Sequence, residues 1–171
     1  MINKGIMSSD SNEWYTPNYI VAFIESEYGK INIDPCAAST TSIGEVNYTI
    51  DDDGLSKEWD KEVVFVNPPY GSEIKEWVKK SYKEQQKHNN IVILLIPART
   101  DTTYWHWWIF PHYSEIYFLK GRIKFETTEG EGESAPFPSA LVVFSPNRNK
   151  VIKALDINKQ SHTQLTLFQE E

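Results

Sequence analysis

Two runs of uninterrupted apolar residues, each closed by proline, constrain this chain more than any other feature. Val63-Val64-Phe65-Val66 runs into Asn67-Pro68-Pro69-Tyr70-Gly71, and the apolar run 91–96 ends at Pro97. Consecutive apolar residues without alternation belong to a strand covered on both faces. Proline has no N–H to give to a ladder, so it ends such a strand. Between the two runs, Ser72 reads as the cap of a helix of about 16 residues, with Ile74, Trp77, Val78 and Tyr82 on its inner face. Strands buried on both faces and alternating with helices imply an α/β architecture around a mostly parallel central sheet flanked by helices. In such sheets ligands collect at the carboxyl ends of the strands.

The remaining elements fit that frame. Thr16-Pro17 reads as an N-cap followed by proline at the first helical position, with Ile20, Phe23 and Ile24 on one face and Gly29 as the stop. Residues 31–33 alternate like a short strand ending at Asp34-Pro35, and 46–50 can form another. Asp101 is placed to cap a short aromatic helix through Trp105 and Trp108. Strands are expected at 117–119, 123–125 and 140–144, with a mobile Gly/Glu-rich loop over 126–135.

With 171 residues the chain holds one domain and a tail, and its single cysteine excludes an internal disulfide framework or a cysteine-built zinc cage. No apolar run approaches the roughly 18 residues of a membrane span, and the N-terminus lacks a basic-plus-apolar signal, so no membrane partner and a cytoplasmic location are expected. The formal charge of −7 argues at first against nucleic acid. It is unevenly spread: residues 1–60 carry 3 Lys and Arg against 11 Asp and Glu, whereas 75–124 carries 9 basic residues against 4 acidic. Five of those nine, the lysines of 75–87, read as a solvated helix face.

The sharpest chemical feature is the corner Asn67-Pro68-Pro69-Tyr70. Two prolines fix φ, so the Asn67 side chain and the Pro68 carbonyl can stand as neighbouring acceptors beside an aromatic plane. Two convergent acceptors and a stacking surface suit a planar substrate with an exocyclic amine. Both N–H groups are taken, and the nitrogen lone pair is left facing an electrophile.

This tetrapeptide resembles the catalytic motif of S-adenosylmethionine-dependent amino methyltransferases, above all DNA adenine-N6 methyltransferases. The likeness extends through Trp14-Tyr15-Thr16-Pro17, Ile33-Asp34-Pro35-Cys36-Ala37, Asp53-Gly54-Leu55 with Trp59, Lys120-Gly121-Arg122-Ile123-Lys124-Phe125 and Pro136-Phe137-Pro138-Ser139-Ala140. In that order the segments resemble the compact phage-type adenine methyltransferases over residues 13–146. The resemblance implies a Rossmann-like class I methyltransferase fold with a late antiparallel strand, a catalytic domain over 13–150 and a C-terminal segment over 151–171. It implies S-adenosylmethionine as cofactor, DNA with an extruded adenine as partner, and a phage or prophage role in protecting DNA from host restriction. Asn67, Pro68, Pro69 and Tyr70 take the catalytic place. Tyr15, Thr16 and Pro17 would lie along the methionine end of the cofactor, and Asp34, Pro35, Cys36 and Ala37 would form its first loop, with Asn67 touching it too. An acidic residue at 51–53 would meet the ribose hydroxyls or the adenine amine. The Gly54-Leu55 register favours Asp53, with Leu55 against the adenine ring; a turn or capping cluster is the alternative for these aspartates. Cytosine-N4 and protein glutamine methyltransferases share such corners, and a catalytically silent binder of the same fold is the rival from another class. The more widespread methyltransferase loop is glycine-rich. Here Cys36, Ala37, Ala38 and Ser39 stand in its place, and Cys36 reads as a packing residue.

Arg99, Lys120, Arg122 and Lys124 are candidates for phosphate contacts, or ordinary cations at strand ends. The aromatic run 104–110 reads mainly as a core helix, with one or two rings available to a base pocket. The histidines 88, 106, 112 and 162 show no metal spacing, so no metal is expected. Near the end, Gln164-Leu165-Thr166-Leu167-Phe168 resembles the peptide by which replication and repair enzymes dock on the bacterial sliding clamp. Gln164, Leu165, Leu167 and Phe168 would be its contacts, and a last edge strand is the competing reading.

Overall fold

A computed structural model describes residues 15–39, 42–127, 130–147 and 149–156. The first helix, α1, covers Asn18–Tyr28, and the first two strands, β1 and β2, cover Ile33–Asp34 and Val46–Asn47. A single 3₁₀ turn follows at Ile50–Asp52. The two apolar runs become β3 (Val63–Val66) and β4 (Ile91–Pro97), joined by α2 (Ile74–His88). An aromatic segment then makes a wide π turn at Trp105–Ile109 and continues as α3 (Phe110–His112). The remaining strands are β5 (Glu115–Lys120), β6 (Lys124–Thr127), β7 (Gly130–Ser134), β8 (Ser139–Phe144) and β9 (Val151–Asp156).

Seven strands form one sheet in the order β2-β1-β3-β4-β8-β5-β9, with β6 and β7 as a separate pair. Every neighbour in the seven-stranded sheet is parallel except where β8 runs antiparallel between β4 and β5. The α/β class, the mostly parallel sheet and the late antiparallel strand are as the sequence implies. Both apolar runs are buried on both faces because helices cover them. On one face Val64, Val66, Val92 and Leu94 pack with α2 and with Trp105 and Ile109. On the other, Val63, Phe65, Ile93 and Leu95 pack with Ile20 and Ile24 of α1 and with Ile123, Phe125 and Ala135 beside the small hairpin.

Several local expectations are corrected. Pro17, not Thr16, is the residue flanking α1, and no side-chain cap bond forms; the Pro17 carbonyl accepts from the Ile20 and Val21 amides. The Thr16 hydroxyl is engaged elsewhere, by Asn67. Glu73 rather than Ser72 flanks α2, again without a side-chain cap. The strand expected over 46–50 stops at Asn47, because the chain turns into the 3₁₀ segment, where Asp52 Oδ2 accepts from the Thr49 amide and hydroxyl. The Gly/Glu-rich stretch expected to be a loop pairs backbone to backbone: Lys124 opposes Ser134 and Thr127 opposes Gly130. Asp101 is exposed in a turn that is closed instead by the Thr102 hydroxyl and amide, both donating to the Arg99 carbonyl. Residues 151–156 pair in parallel with β5 as the edge strand of the sheet.

One residue ties the first loop to the second helix. Trp59 is fully buried and stacks on Trp77, centroids 6.2 Å apart. Its indole N–H donates to the Gly54 carbonyl at 3.0 Å, and its backbone amide donates to Glu84 Oε2 at 2.7 Å. Trp59→Ala is expected to lower unfolding free energy by about 3–5 kcal/mol, read as a shifted midpoint in a urea titration.

Candidate active site

Strands β1, β3, β4 and β5 point the same way, so their carboxyl ends share one edge of the sheet. Asp34 closes β1, Asn67 follows β3, Arg99 lies two residues past β4, and Lys120 closes β5. Arg122 and Lys124 lead from that edge into the hairpin.

The Asp34 corner is built by close backbone approach. Its main-chain carbonyl accepts from Tyr48, while its carboxylate, 4% exposed, accepts the Cys36 amide at 3.0 Å. Among the described residues it has no basic partner. Burial raises its pKa from 3.8 to about 6, against the Cys36 amide, which pulls the other way. Burial and the neighbouring carboxylate push the Cys36 thiol well up, so it is a poor nucleophile. Pro35 and Ala37 are buried, and Cys36 and Leu55 pack partly buried against the core.

Asp53 and Leu55 reach this corner because Gly54 lies against it. A Cβ on Gly54 would fall 2.0 Å from the Pro35 carbonyl oxygen, so only glycine permits the approach. Asp53 is left-handed, with φ 50°, a conformation that aspartate tolerates better than most residues. Asp51, Asp52 and Asp53 are all exposed. Asp52 is occupied by Thr49, whose hydrogen bonds lower its pKa.

At the neighbouring strand, Asn67 Nδ2 donates to Thr16 Oγ1 at 3.1 Å. Tyr15, Thr16 and Pro17 are all buried, and Thr16 brings the segment before α1 against Asn67. Pro68 is buried and Pro69 exposed. The Tyr70 ring sits between the two core clusters and meets Phe125 edge-on, centroids 6.1 Å apart. Its hydroxyl is shielded without a hydrogen-bond partner, and burial, with Tyr104 nearby, raises its pKa. Such an unmet group is a costly thing to keep in a core.

These corners share one edge, on adjacent strands roughly 4.8 Å apart. A carboxylate, an amide and an aromatic ring therefore stand at one edge of the sheet. The family model for DNA N-6-adenine-methyltransferase (Dam) matches residues 4–165. The chain belongs to that family. It is 36% identical over 104 residues to the DNA N-6-adenine-methyltransferase of Escherichia phage T1, a match covering 59% of this chain and 43% of that protein. It is 25% identical over 150 residues to the enzyme of the same name from Haemophilus phage HP1 (strain HP1c1), covering 85% and 86%. The chain thus spans under half the length of the T1 relative and most of the HP1 relative.

In this Dam-family chain the four basic candidates are exposed and differ in setting. Arg99 lies over the Phe137 ring at 5.1 Å, and Lys120 is paired with Asp156 of β9 at 3.0 Å. The aromatic run is partly core, as read: Trp105 and Ile109 are fully buried and Tyr104 nearly so. Trp107 is the exception, 69% exposed, because the wide turn leaves it on the outer side. Gln164, Leu165, Leu167 and Phe168 lie outside the described residues. No group of three metal-ligating side chains comes together among the described residues, and none of their helices is long and apolar enough to cross a membrane.

Sequence reasoning missed two groups here. Ser139 opens β8 opposite Pro97, fully buried, with a hydroxyl that has no partner. The only available signal was its place inside Pro136-Phe137-Pro138-Ser139-Ala140. The Thr16–Asn67 bond joins residues 51 positions apart, and neither side chain announces the other. Gly54→Ala is expected to lower stability by about 1–3 kcal/mol and to shift Trp59 fluorescence, since Trp59 hangs from the Gly54 carbonyl. A melting curve and an emission spectrum measure both.

Proposed function

We propose that this chain transfers a methyl group from S-adenosylmethionine to the N6 amine of adenine in DNA, on a Rossmann-like class I methyltransferase fold. The observation that carries the reading is the pairing of the Asn67-Pro68-Pro69-Tyr70 corner with the buried, unneutralised Asp34 carboxylate one strand away. Membership of the family and the names of both phage relatives support the same chemistry.

The residues fit the cofactor. A buried carboxylate without a basic partner suits a ligand that brings positive charge, and Gly54 lets Asp53 and Leu55 close on the same corner. Tyr15, Pro17, Pro35, Cys36 and Ala37 complete the lining. S-adenosylmethionine, when bound, supplies the electrophilic methyl group.

Asn67 Oδ1 and the Pro68 carbonyl accept the two hydrogens of the target amine and aim its lone pair. Tyr70 offers the half-buried ring on which the base stacks. Most of the acceleration comes from holding the reactants in line, an effect worth up to about 7–11 kcal/mol in oriented systems. An adenine inside a duplex is extruded to reach this corner, at a few kcal/mol. Arg99, Lys120, Arg122 and Lys124 flank the edge and are assigned to phosphates, with Lys120 first released from Asp156. The C-terminal peptide 164–168 is assigned, on sequence resemblance, to the sliding clamp.

Asn67→Ala is expected to lower methyl incorporation by at least about 100-fold, by analogy with loss of one pre-organised polar group. Tyr70→Ala is expected to cost about 1–3 kcal/mol of base stacking. Nucleoside analysis of the methylated DNA checks both. N4-methylcytosine as product, methylated protein glutamine, or cofactor binding without any methyl transfer each defeats the adenine reading.

Asp34 gives a pH dependence. Its folded pKa, about 6, lies above the unfolded 3.8. Its contribution to stability is therefore fully present below about 3.8 and lost as pH rises through about 6. Binding of a cationic ligand runs the opposite way, because it requires the carboxylate. Cofactor affinity in wild type is expected to weaken about tenfold per pH unit below about 6. Asp34→Asn is expected to bind more weakly with a flat profile, read by calorimetry from pH 5 to 8.

A further inference from the structure

We propose that Thr16 is a positioning residue for Asn67: by taking the Nδ2 hydrogen, its hydroxyl oxygen turns Asn67 Oδ1 toward the target amine. The inference rests on the functional reading above and deepens it.

An asparagine amide is nearly symmetrical in shape and opposite in chemistry at its two ends. Rotated by half a turn, Asn67 would present an NH₂ group to another amine, donor against donor. The strand supplies no preference, because Asn67 lies past the last paired residue of β3, Val66. Thr16 supplies it. Its Oγ1 stands 3.1 Å from Nδ2, which leaves Oδ1 at the opposite end of the amide with its lone pairs available.

Thr16 is well suited to the task. It is 7% exposed, so water competes weakly for the bond. As the residue before Pro17 it is confined to extended backbone, and Pro17 is anchored to the first turn of α1 by its carbonyl. Ile20 and Ile24, both fully buried, press that helix onto the sheet face that also carries Val63 and Phe65. Asn67 continues the same alternation, so its side chain falls on the α1 side. Two rigid elements therefore hold the donor and the acceptor. The arrangement also explains why Thr16 does not cap α1. Its oxygen is committed across the sheet edge, while the hydroxyl hydrogen is left to donate.

The test uses the full chain with Thr16→Val, which keeps shape and removes the acceptor, and Thr16→Ser, which keeps the acceptor. Thr16→Ala replaces Thr16→Val if melting curves show the latter unfolded. Thr16→Val is expected to lower kcat at least about tenfold at saturating cofactor and DNA, with the cofactor Kd within about threefold of wild type. Thr16→Ser is expected to restore kcat, and adding Thr16→Val to Asn67→Ala is expected to change nothing more, because residues in one network do not add. The proposal is overturned if kcat stays within about twofold, if the loss lies in the cofactor Kd, or if serine fails to restore it.

A second measurement is independent of catalysis. In nitrogen-15-labelled protein, the side-chain NH₂ signals that vanish in Asn67→Ala are expected to exchange slowly with solvent in wild type and fast in Thr16→Val. Equal exchange in both overturns the proposal whatever the DNA assay gives. Absence of methyl transfer by the wild-type chain with slow, Thr16-dependent exchange defeats the functional reading alone.

Discussion

A parallel strand has no neighbour to continue its ladder once the chain leaves the sheet, and the candidate site at this edge is organised around that fact. Strand β3 is clamped between β1 and β4, every residue buried, and is released at Asn67 into two prolines that offer no amide. The polar groups of the corner therefore have no secondary-structure partners to consume them. At the end of β1 the Asp34 backbone is still paired, its carbonyl accepting from Tyr48, and its carboxylate takes the Cys36 amide. Both helical layers serve to keep those strand ends still: α2 with the aromatic segment on one face, α1 with the hairpin on the other.

The electrostatics follow from the same burial. Asp34 is kept out of water without a cation, and its proton is held more tightly as a result. The fold therefore carries an unfavourable buried group at neutral pH, of the kind a positively charged ligand would relieve. On the proposed function, stability and ligand affinity would draw on the same carboxylate with opposite signs, an arrangement met where function is given precedence over stability. Two hydroxyls without partners among the described residues, on Tyr70 and Ser139, add to this local surplus of unmet polarity.

The sequence was most legible where burial imposes a pattern. Residues 63–66 and 91–96 read as strands because both faces needed to be apolar, and α2 declared itself through Ile74, Trp77 and Val78. It was least legible where backbone alone does the pairing. The hairpin of β6 and β7 is made by main-chain groups in a Gly/Glu-rich stretch that carries no alternation to read. Local rules failed at Thr16 and Ser72, which look like caps, and for Thr16 the reason is a partner far away in sequence. The corner residues were singled out as a set only through resemblance. How Gly54 meets Pro35, or Thr16 meets Asn67, depends on a tertiary approach that no spacing encodes.

The wide turn at Trp105–Ile109 has an evolutionary reading. A π turn holds one residue more than an α turn, so it behaves as a single inserted residue within a helix. At its first residue, Trp105 donates its indole N–H to Pro97 and stacks on Phe118; downstream, His112 stacks on Tyr82 of α2 at 4.0 Å. Deleting one residue there would rotate everything downstream by about 100°, parting one of the two contacts. The extra residue lets one short helix face the sheet and a neighbouring helix in succession. It makes this stretch sensitive to chain length as well as to side-chain identity.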